Sequence, residues 1–139
     1  MIDEPQSDDP TPEACDALLT YLPILEQPGR VFVERWAGGE RTPDGHLTGT
    51  YPIYLPDVEA FFAEASKPVW MEPGYLENPV QAWLDEKALI AAADLHRMRV
   101  LLTYCARGER FTDGFWDEIL TRGQVQAVLR RLAQLRALM

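Results

Sequence analysis

LHRMRVLLTYCARGERFTDG, residues 95–114, is the stretch whose reading decides the fold. Apolar side chains at Leu95, Met98, Leu101, Leu102 and Cys105 recur at three- and four-residue spacing, which marks one buried face of an α-helix. Asp94 stands where an N-cap belongs, and Gly108 where a left-handed residue would stop the helix. At about 100° per residue, His96, Thr103 and Arg107 share a stripe away from that face, with Arg99 on its flank. Arg110 follows the stop and is placed to fold back beside Arg107. The stripe has two readings. It is either a solvated face whose Arg residues complement the negative end of the helix dipole, or a small-anion or carboxylate site built from guanidinium forks. In the second reading the ligand-binding candidates are Thr103, Arg107 and Arg110, supported by Arg99 and, from the last helix, Arg131.

Working outward, Leu89 to Ala93 leads into this helix from another that Asn78 and Pro79 open as cap and first turn, with Val80, Trp83, Leu84 and Ala88 as its stripe. Before that, Pro56-Asp57 starts a helix carrying Val58, Phe61, Phe62 and Ala65, which closes near Ser66-Lys67-Pro68. Two strands are expected upstream, residues 30–36 and 50–55, each with alternating apolar side chains. Pro52 lacks a ladder donor and places the second strand at an edge or bulge. The connection 37–49 is too long for a tight hairpin and reads as a flap or functional loop. Val69-Trp70 is a candidate third strand. Thr11-Pro12-Glu13 opens the first helix, with Ala14, Leu18, Tyr21 and Leu22 on one side. Past Gly114, a short helix with Phe115, Trp116, Ile119 and Leu120 stops at Arg122-Gly123. The last helix presents Val125, Val128, Leu129, Leu132, Leu135 and Met139, with Arg130 and Arg131 toward water. Arg136 projects into the stripe and has to snorkel, find a carboxylate or sit on a frayed end. Strands together early and helices elsewhere predict an α+β domain of about five helices on an antiparallel sheet of two or three strands, spanning residues 11–139, with residues 1–10 as a disordered acidic tail.

Length and composition agree with a single domain. A chain of 139 residues buries roughly two-thirds of its unfolded surface without disulfide staples, and the 47% hydrophobic content is ample for a core. Cys15 and Cys105 each lie on an apolar helical pattern and are expected as buried thiols, with a disulfide between them left open. The acidic beginning is unlike a secretory leader, and the apolar run at residues 89–93 is too short to cross a bilayer. A cytoplasmic location is therefore expected, with no membrane association.

Charge is unevenly placed. Residues 1–96 hold 18 Asp/Glu against 5 Lys/Arg, whereas residues 97–139 hold 4 against 8, within a net charge of −9. The overall sign argues against nonspecific nucleic-acid binding, which needs several unopposed phosphate contacts. Either the two parts neutralise each other within the fold, or they form a dipolar surface that orients a partner.

No phosphate-cradling glycine loop, nucleophile elbow, HExxH helix, EF-hand or zinc-type Cys/His spacing is present. No cofactor or metal is expected. His46 and His96 have no carboxylate paired with them by spacing. Glu109, between Arg107 and Arg110, is expected in a structural ion pair, and Trp70, Trp83 and Trp116 in the core.

LLTYCARGERFTDG followed by TRGQVQAVLRRL resembles a family of small bacterial, archaeal and phage proteins known as a domain of unknown function (domain-of-unknown-function family 6508). The likeness falls on Leu101-Leu102-Thr103, Arg107, Arg110-Phe111, Gly114, Gly123 and Leu129-Arg130-Arg131-Leu132, with Leu22-Pro23 and the Val58–Phe62 helix earlier. It implies that Thr103, Arg107, Arg110 and Arg131 belong to the family's design and is silent on their purpose. The leading functional expectation is a non-enzymatic protein-interaction or regulatory module, its partner another protein or a second copy of the chain. The alternatives are a small anion- or nucleotide-binding module using the Arg cluster, and an acidic mimic of nucleic acid.

Overall fold

The computed structural model describes residues 9–139 and has the α+β composition expected from the sequence. The acidic-tail reading falls almost wholly on residues outside the described ones, but Pro10, assigned to that tail, is buried. In chain order the elements are α1 (Pro12–Leu19), α2 (Leu22–Leu25), β1 (Val33–Gly38), β2 (Thr50–Tyr54), α3 (Pro56–Ala65), α4 (Val80–Asp85), α5 (Lys87–Ala91), α6 (Leu95–Arg107), α7 (Phe115–Thr121) and α8 (Gln124–Ala137). Single 3₁₀ turns occupy Tyr75–Glu77 and Gly108–Arg110.

The eight helical segments of the described residues exceed the expected number of about five, in part because two of the sequence's helices are broken. The Thr20 hydroxyl donates to the Ala17 carbonyl at 2.7 Å where α1 ends, the local side-chain bond by which Thr competes with a continuing helix. Glu86 adopts extended backbone angles and separates α4 from α5, so that Leu84 and Ile90 reach the core from different axes.

Capping chemistry sets several boundaries. The Thr11 hydroxyl accepts from the Ala14 amide at 3.1 Å, and an Asp94 carboxylate oxygen from the Arg97 amide at 2.8 Å. Each satisfies a donor that the first helical turn leaves open. Asn78 does not cap α4. Its side chain turns back to the Gly74 carbonyl at 3.4 Å, and the cap position passes to Pro79.

β1 and β2 pair antiparallel, with Val33 opposite Tyr54 and Gly38 opposite Thr50, and a bulge between Val33 and Arg35. In a two-stranded sheet both strands are edges, so Pro52 sits opposite Trp36 at no cost to a central ladder. An Arg41–Leu47 bridge extends the pairing into the long connection, which is a hairpin arm rather than an open flap. Val69-Trp70 forms a turn and not a third strand.

α8 is the spine. Its Val125, Val128, Leu129 and Leu132 are buried, and α1, α2, α5, α6 and α7 all pack against it. The second centre is aromatic: Phe62 of α3 stacks on Trp116 of α7 at 4.1 Å between centroids and 7° between planes, with Tyr54 5.1 Å from the same indole. Cys15 and Cys105 are separate buried thiols. Arg136 finds a carboxylate, donating from Nε and Nη2 to the two oxygens of Asp16 at 2.9 and 3.2 Å, which joins the end of α8 to α1.

Gly108 differs from its expected role. Its φ is −61°, an ordinary right-handed value, so it is not a left-handed stop. A Cβ there would lie 2.0 Å from the Phe115 ring, and glycine is required because α7 packs against the end of α6. Gly108→Ala is predicted to destabilise the fold by about 1–3 kcal/mol, as overpacking does. Combining it with Phe115→Ala should recover part of that loss in a denaturant double-mutant cycle.

Candidate functional site

The polar stripe of the central helix is an internal fastening. Thr103 is 0% exposed, not on a solvated face, because the chain from Pro68 to Glu77 lies across that side of α6. Its Oγ1 accepts from the Glu72 amide at 2.9 Å and lies 3.0 Å from the Trp70 carbonyl and 2.8 Å from that of Arg99, which share its one proton. Arg99 completes the fastening. Nε donates to the Val69 carbonyl at 3.1 Å, Nη2 to that of Met71 at 2.7 Å, and Nη1 lies 3.7 Å from a Glu72 carboxylate oxygen. Four consecutive residues without regular secondary structure thus have backbone groups tied to two side chains one helical turn apart. A buried irregular segment needs such partners, since its carbonyls and amides have no ladder to join.

The remaining candidates separate. Arg107 is half-buried with its guanidinium 5.7 Å from the centre of the Tyr75 ring, within cation–π range. Arg110 is exposed and has no hydrogen bond or ion pair among the described residues. It does not fold back beside Arg107 into a shared site. Arg131 lies on a different surface, with Nε donating to the Ala93 carbonyl at 2.8 Å and Nη1 to Gln134 Oε1 at 3.0 Å. The structure therefore does not bring the five residues together.

Glu109 pairs with neither neighbouring Arg. Its Oε2 accepts from the Gly114 amide at 2.7 Å, and its Oε1 from the Trp116 amide at 2.9 Å and the Tyr54 hydroxyl at 2.6 Å. The Tyr54 oxygen in turn accepts from the Asp117 amide at 3.2 Å. One carboxylate thereby sets the 108–116 turn, caps the start of α7 and joins it to β2. Burial, and then the bond to Glu109, push the Tyr54 hydroxyl well above its ordinary value. The tryptophans divide: Trp70 is core, Trp116 is part-buried and donates to the Cys105 carbonyl at 3.0 Å, and Trp83 carries the Arg97 guanidinium 4.5 Å from its ring centre.

A cationic surface that the sequence reading missed lies between α5 and α8. Lys87, Arg122, Arg130 and Arg131 line a groove of about 310 Å³, floored by Ile90, Ala91 and Ala127, with no carboxylate in its wall. Arg122 and Arg130 each have one carboxylate partner outside it, Glu118 at 3.3 Å and Glu26 at 2.5 Å. Arg131 is held on backbone and amide oxygens, and Lys87 is exposed. The N-terminus of α8, opened by Gly123 at φ +74° without a side-chain cap, borders the groove and adds its dipole. In the sequence, Arg122 marked a helix end and Arg130 and Arg131 faced water. Only the packing of α5 on α8 makes these positions neighbours.

Neither histidine sits in a closed acid–base pair. His46 Nε2 is 3.8 Å from Asp44 on the exposed hairpin arm, and His96 Nδ1 is 3.9 Å from the Glu72 oxygen already facing Arg99. No group of three or more His, Cys, Asp or Glu side chains suited to a metal ion occurs among the described residues. No helix among them is long and apolar enough to cross a membrane.

A family model described as a family of unknown function (DUF6508) matches residues 10–137. The chain belongs to that family. No curated protein and no solved structure matches it. Of the positions on which the sequence resemblance falls, several have structural duties, whereas Arg110 and Phe111 are exposed. Thr103 fastens 70–72, Gly114 has φ +88° beside Trp36, Gly123 has φ +74° between α7 and α8, and Leu129 and Leu132 are buried in the spine.

Thr103→Val, which keeps the shape but leaves the Glu72 amide unpaired, should cost about 1–3 kcal/mol, whereas Thr103→Ser should cost less in the same denaturation assay. Burial pushes the Cys105 thiol from 9.0 up to about 12. Between those values the folded chain holds the proton that the unfolded chain releases, so this group's contribution makes stability fall as pH rises. Tyr54 acts in the same direction at higher pH. Urea unfolding at rising alkaline pH should show a shallower fall for Cys105→Ala than for the wild type, and identical slopes would remove the thiol from the account.

Proposed function

We propose that this protein is a small-anion-binding module whose site is the α5–α8 groove. The observation that carries the reading is four cationic side chains lining one groove with no carboxylate in its wall. Arg131 supports it most directly. Its guanidinium is pre-oriented by the Ala93 carbonyl and Gln134, which reduces the ordering that a ligand must impose. Arg122, Arg130 and Lys87 surround it, and the free amides at the start of α8 favour a negative group at Gly123. The ligand class is a phosphate- or carboxylate-bearing small molecule, since guanidinium forks and helix N-termini recognise both. Of the residues first assigned to such a site, Arg131 remains. Arg99 and Thr103 are committed to the 69–72 backbone.

A second reading, a protein-interaction module, is supported by apolar side chains exposed at Val31, Leu47 and Tyr51 on and beside the hairpin arm, and at Phe111, 76% exposed. Its self-association form is weakened by pairs inside the chain: Arg99 faces Glu72, Arg130 faces Glu26 and Arg136 faces Asp16. The acidic-mimic reading is weakened likewise, since those carboxylates already serve the chain's own cations.

Thermal-shift titration with phosphate, pyrophosphate and citrate tests the anion reading, because a bound ligand stabilises the folded state by mass action. Stabilisation is expected for the wild type. Lys87→Ala and Arg131→Ala should each weaken binding by about 10- to 100-fold, the loss of one charged hydrogen bond. Absence of stabilisation, or equal stabilisation in both variants, would remove the reading. Solution mass measured against ionic strength tests self-association, and a monomer under all conditions counts against it.

A further inference from the structure

Phe111 is 76% exposed and contributes little to the core, yet it lines one hollow together with Tyr104 and Phe115. That hollow, about 380 Å³, lies between the end of α6 and the α7–α8 junction. The Tyr104 and Phe115 rings meet edge to face with centroids 5.6 Å apart, which makes a fixed aromatic corner. Gln81, Thr112 and Gln124 add polar groups to its wall.

Two further hollows continue from it. The next, about 220 Å³, shares Arg122 and Gln124 with the aromatic one and has Asp85 in its wall. It shares Lys87, Arg122 and Gly123 in turn with the α5–α8 groove, so Arg122 lines all three. Asp85 Oδ1 accepts from the Gln81 amide at 3.0 Å and the Gln124 amide at 3.1 Å, and the Tyr104 hydroxyl donates to Gln81 Oε1. These bonds tie the walls of the first two hollows together. They leave Asp85 Oδ2 as an acceptor without a partner among the described residues. Gln124 and Arg131, toward the two ends of the row, lie seven residues apart on α8, about 10 Å along its axis.

An aromatic wall, a carboxylate and a cationic groove thus follow one another in that order. A simple anion gains nothing from the first and is repelled by the second. A purely aromatic ligand leaves the third unmatched. We infer that the three hollows together bind a nucleoside phosphate. The base stacks in the aromatic hollow, ribose hydroxyls donate to Asp85, and the phosphate enters the groove among Lys87, Arg122 and Arg131. The Arg122–Glu118 pair, with both side chains more than half exposed, contributes little and yields to a phosphate. This inference rests on the anion reading of the α5–α8 groove and assigns the remainder of the ligand.

The test is a set of nitrogen-15 NMR titrations of the full chain with adenosine 5′-phosphate, uridine 5′-phosphate, ribose 5-phosphate and inorganic phosphate. At least one nucleotide should bind roughly tenfold or more tighter than ribose 5-phosphate, the gain that a stacked base supplies. That nucleotide should also move the Gly108 and Thr112 amide signals of the aromatic hollow, which inorganic phosphate leaves in place. Phe111→Ala, a change at an exposed side chain, should remove most of the nucleotide's advantage and leave inorganic phosphate binding unchanged. Lys87→Ala should weaken nucleotide and phosphate alike. Equal affinity for the nucleotides and ribose 5-phosphate overturns this inference and leaves the anion reading standing. Nucleotide binding that Lys87→Ala does not weaken overturns it as well, because base and phosphate would then occupy unconnected places. Failure of all four compounds to bind removes both readings. The wild-type titrations decide the matter even if a variant folds poorly.

Discussion

An irregular length of chain laid over a helix has to find partners for its amides and carbonyls, and in this protein two side chains supply them. Thr103 and Arg99 bind the backbone of residues 69–72 on four consecutive positions, and Arg107 continues the same face by lying over Tyr75. Trp70 is thereby buried. α6 is consequently enclosed on both sides, by α8 on its apolar face and by this segment on its polar one. The charged hydrogen bonds involved are individually among the stronger ones in proteins, and leaving any of these buried groups unmatched is costly. The polar stripe of the central helix is therefore spent on architecture before any ligand is considered.

The same economy governs the acids. Glu109 accepts three hydrogen bonds, two from the turn it folds and one from Tyr54 across the molecule. Asp16 and Glu26, near the beginning of the chain, hold Arg136 and Arg130 of the last helix. The division between an acidic first part and a basic last part is thus partly closed within the molecule, through contacts that also fasten the middle and the C-terminal end of α8. Among the cations with no carboxylate partner are Arg131 and Lys87 in the α5–α8 groove and Arg110 in open solvent.

Much of this was legible in the sequence. Period-3.6 stripes placed α3, α6, α7 and α8, the caps at Thr11 and Asp94 marked two helix starts, and Pro52 announced an edge strand. The failures have one physical source, which is that local pattern carries no information about what covers a polar face. Thr103 looked solvated because the segment that buries it is irregular and gives no periodic signal. Gly108 looked like a stop because the need for a missing Cβ came from Phe115, seven residues on and packed back against it. Arg122 and Arg131 looked unrelated because their proximity exists only once α5 lies on α8.

The polar side of α6, through Arg99 and Thr103, clamps the segment that crosses it. Hydrogen exchange of the wild-type chain reads this directly at the Glu72 amide, whose acceptor is the Thr103 hydroxyl. If the clamp is real, that amide should exchange at a rate close to the slowest core amides of α6, through global opening alone. Exchange at the rate of an exposed loop, while α6 stays protected, would show that the segment is not held and would contradict the account.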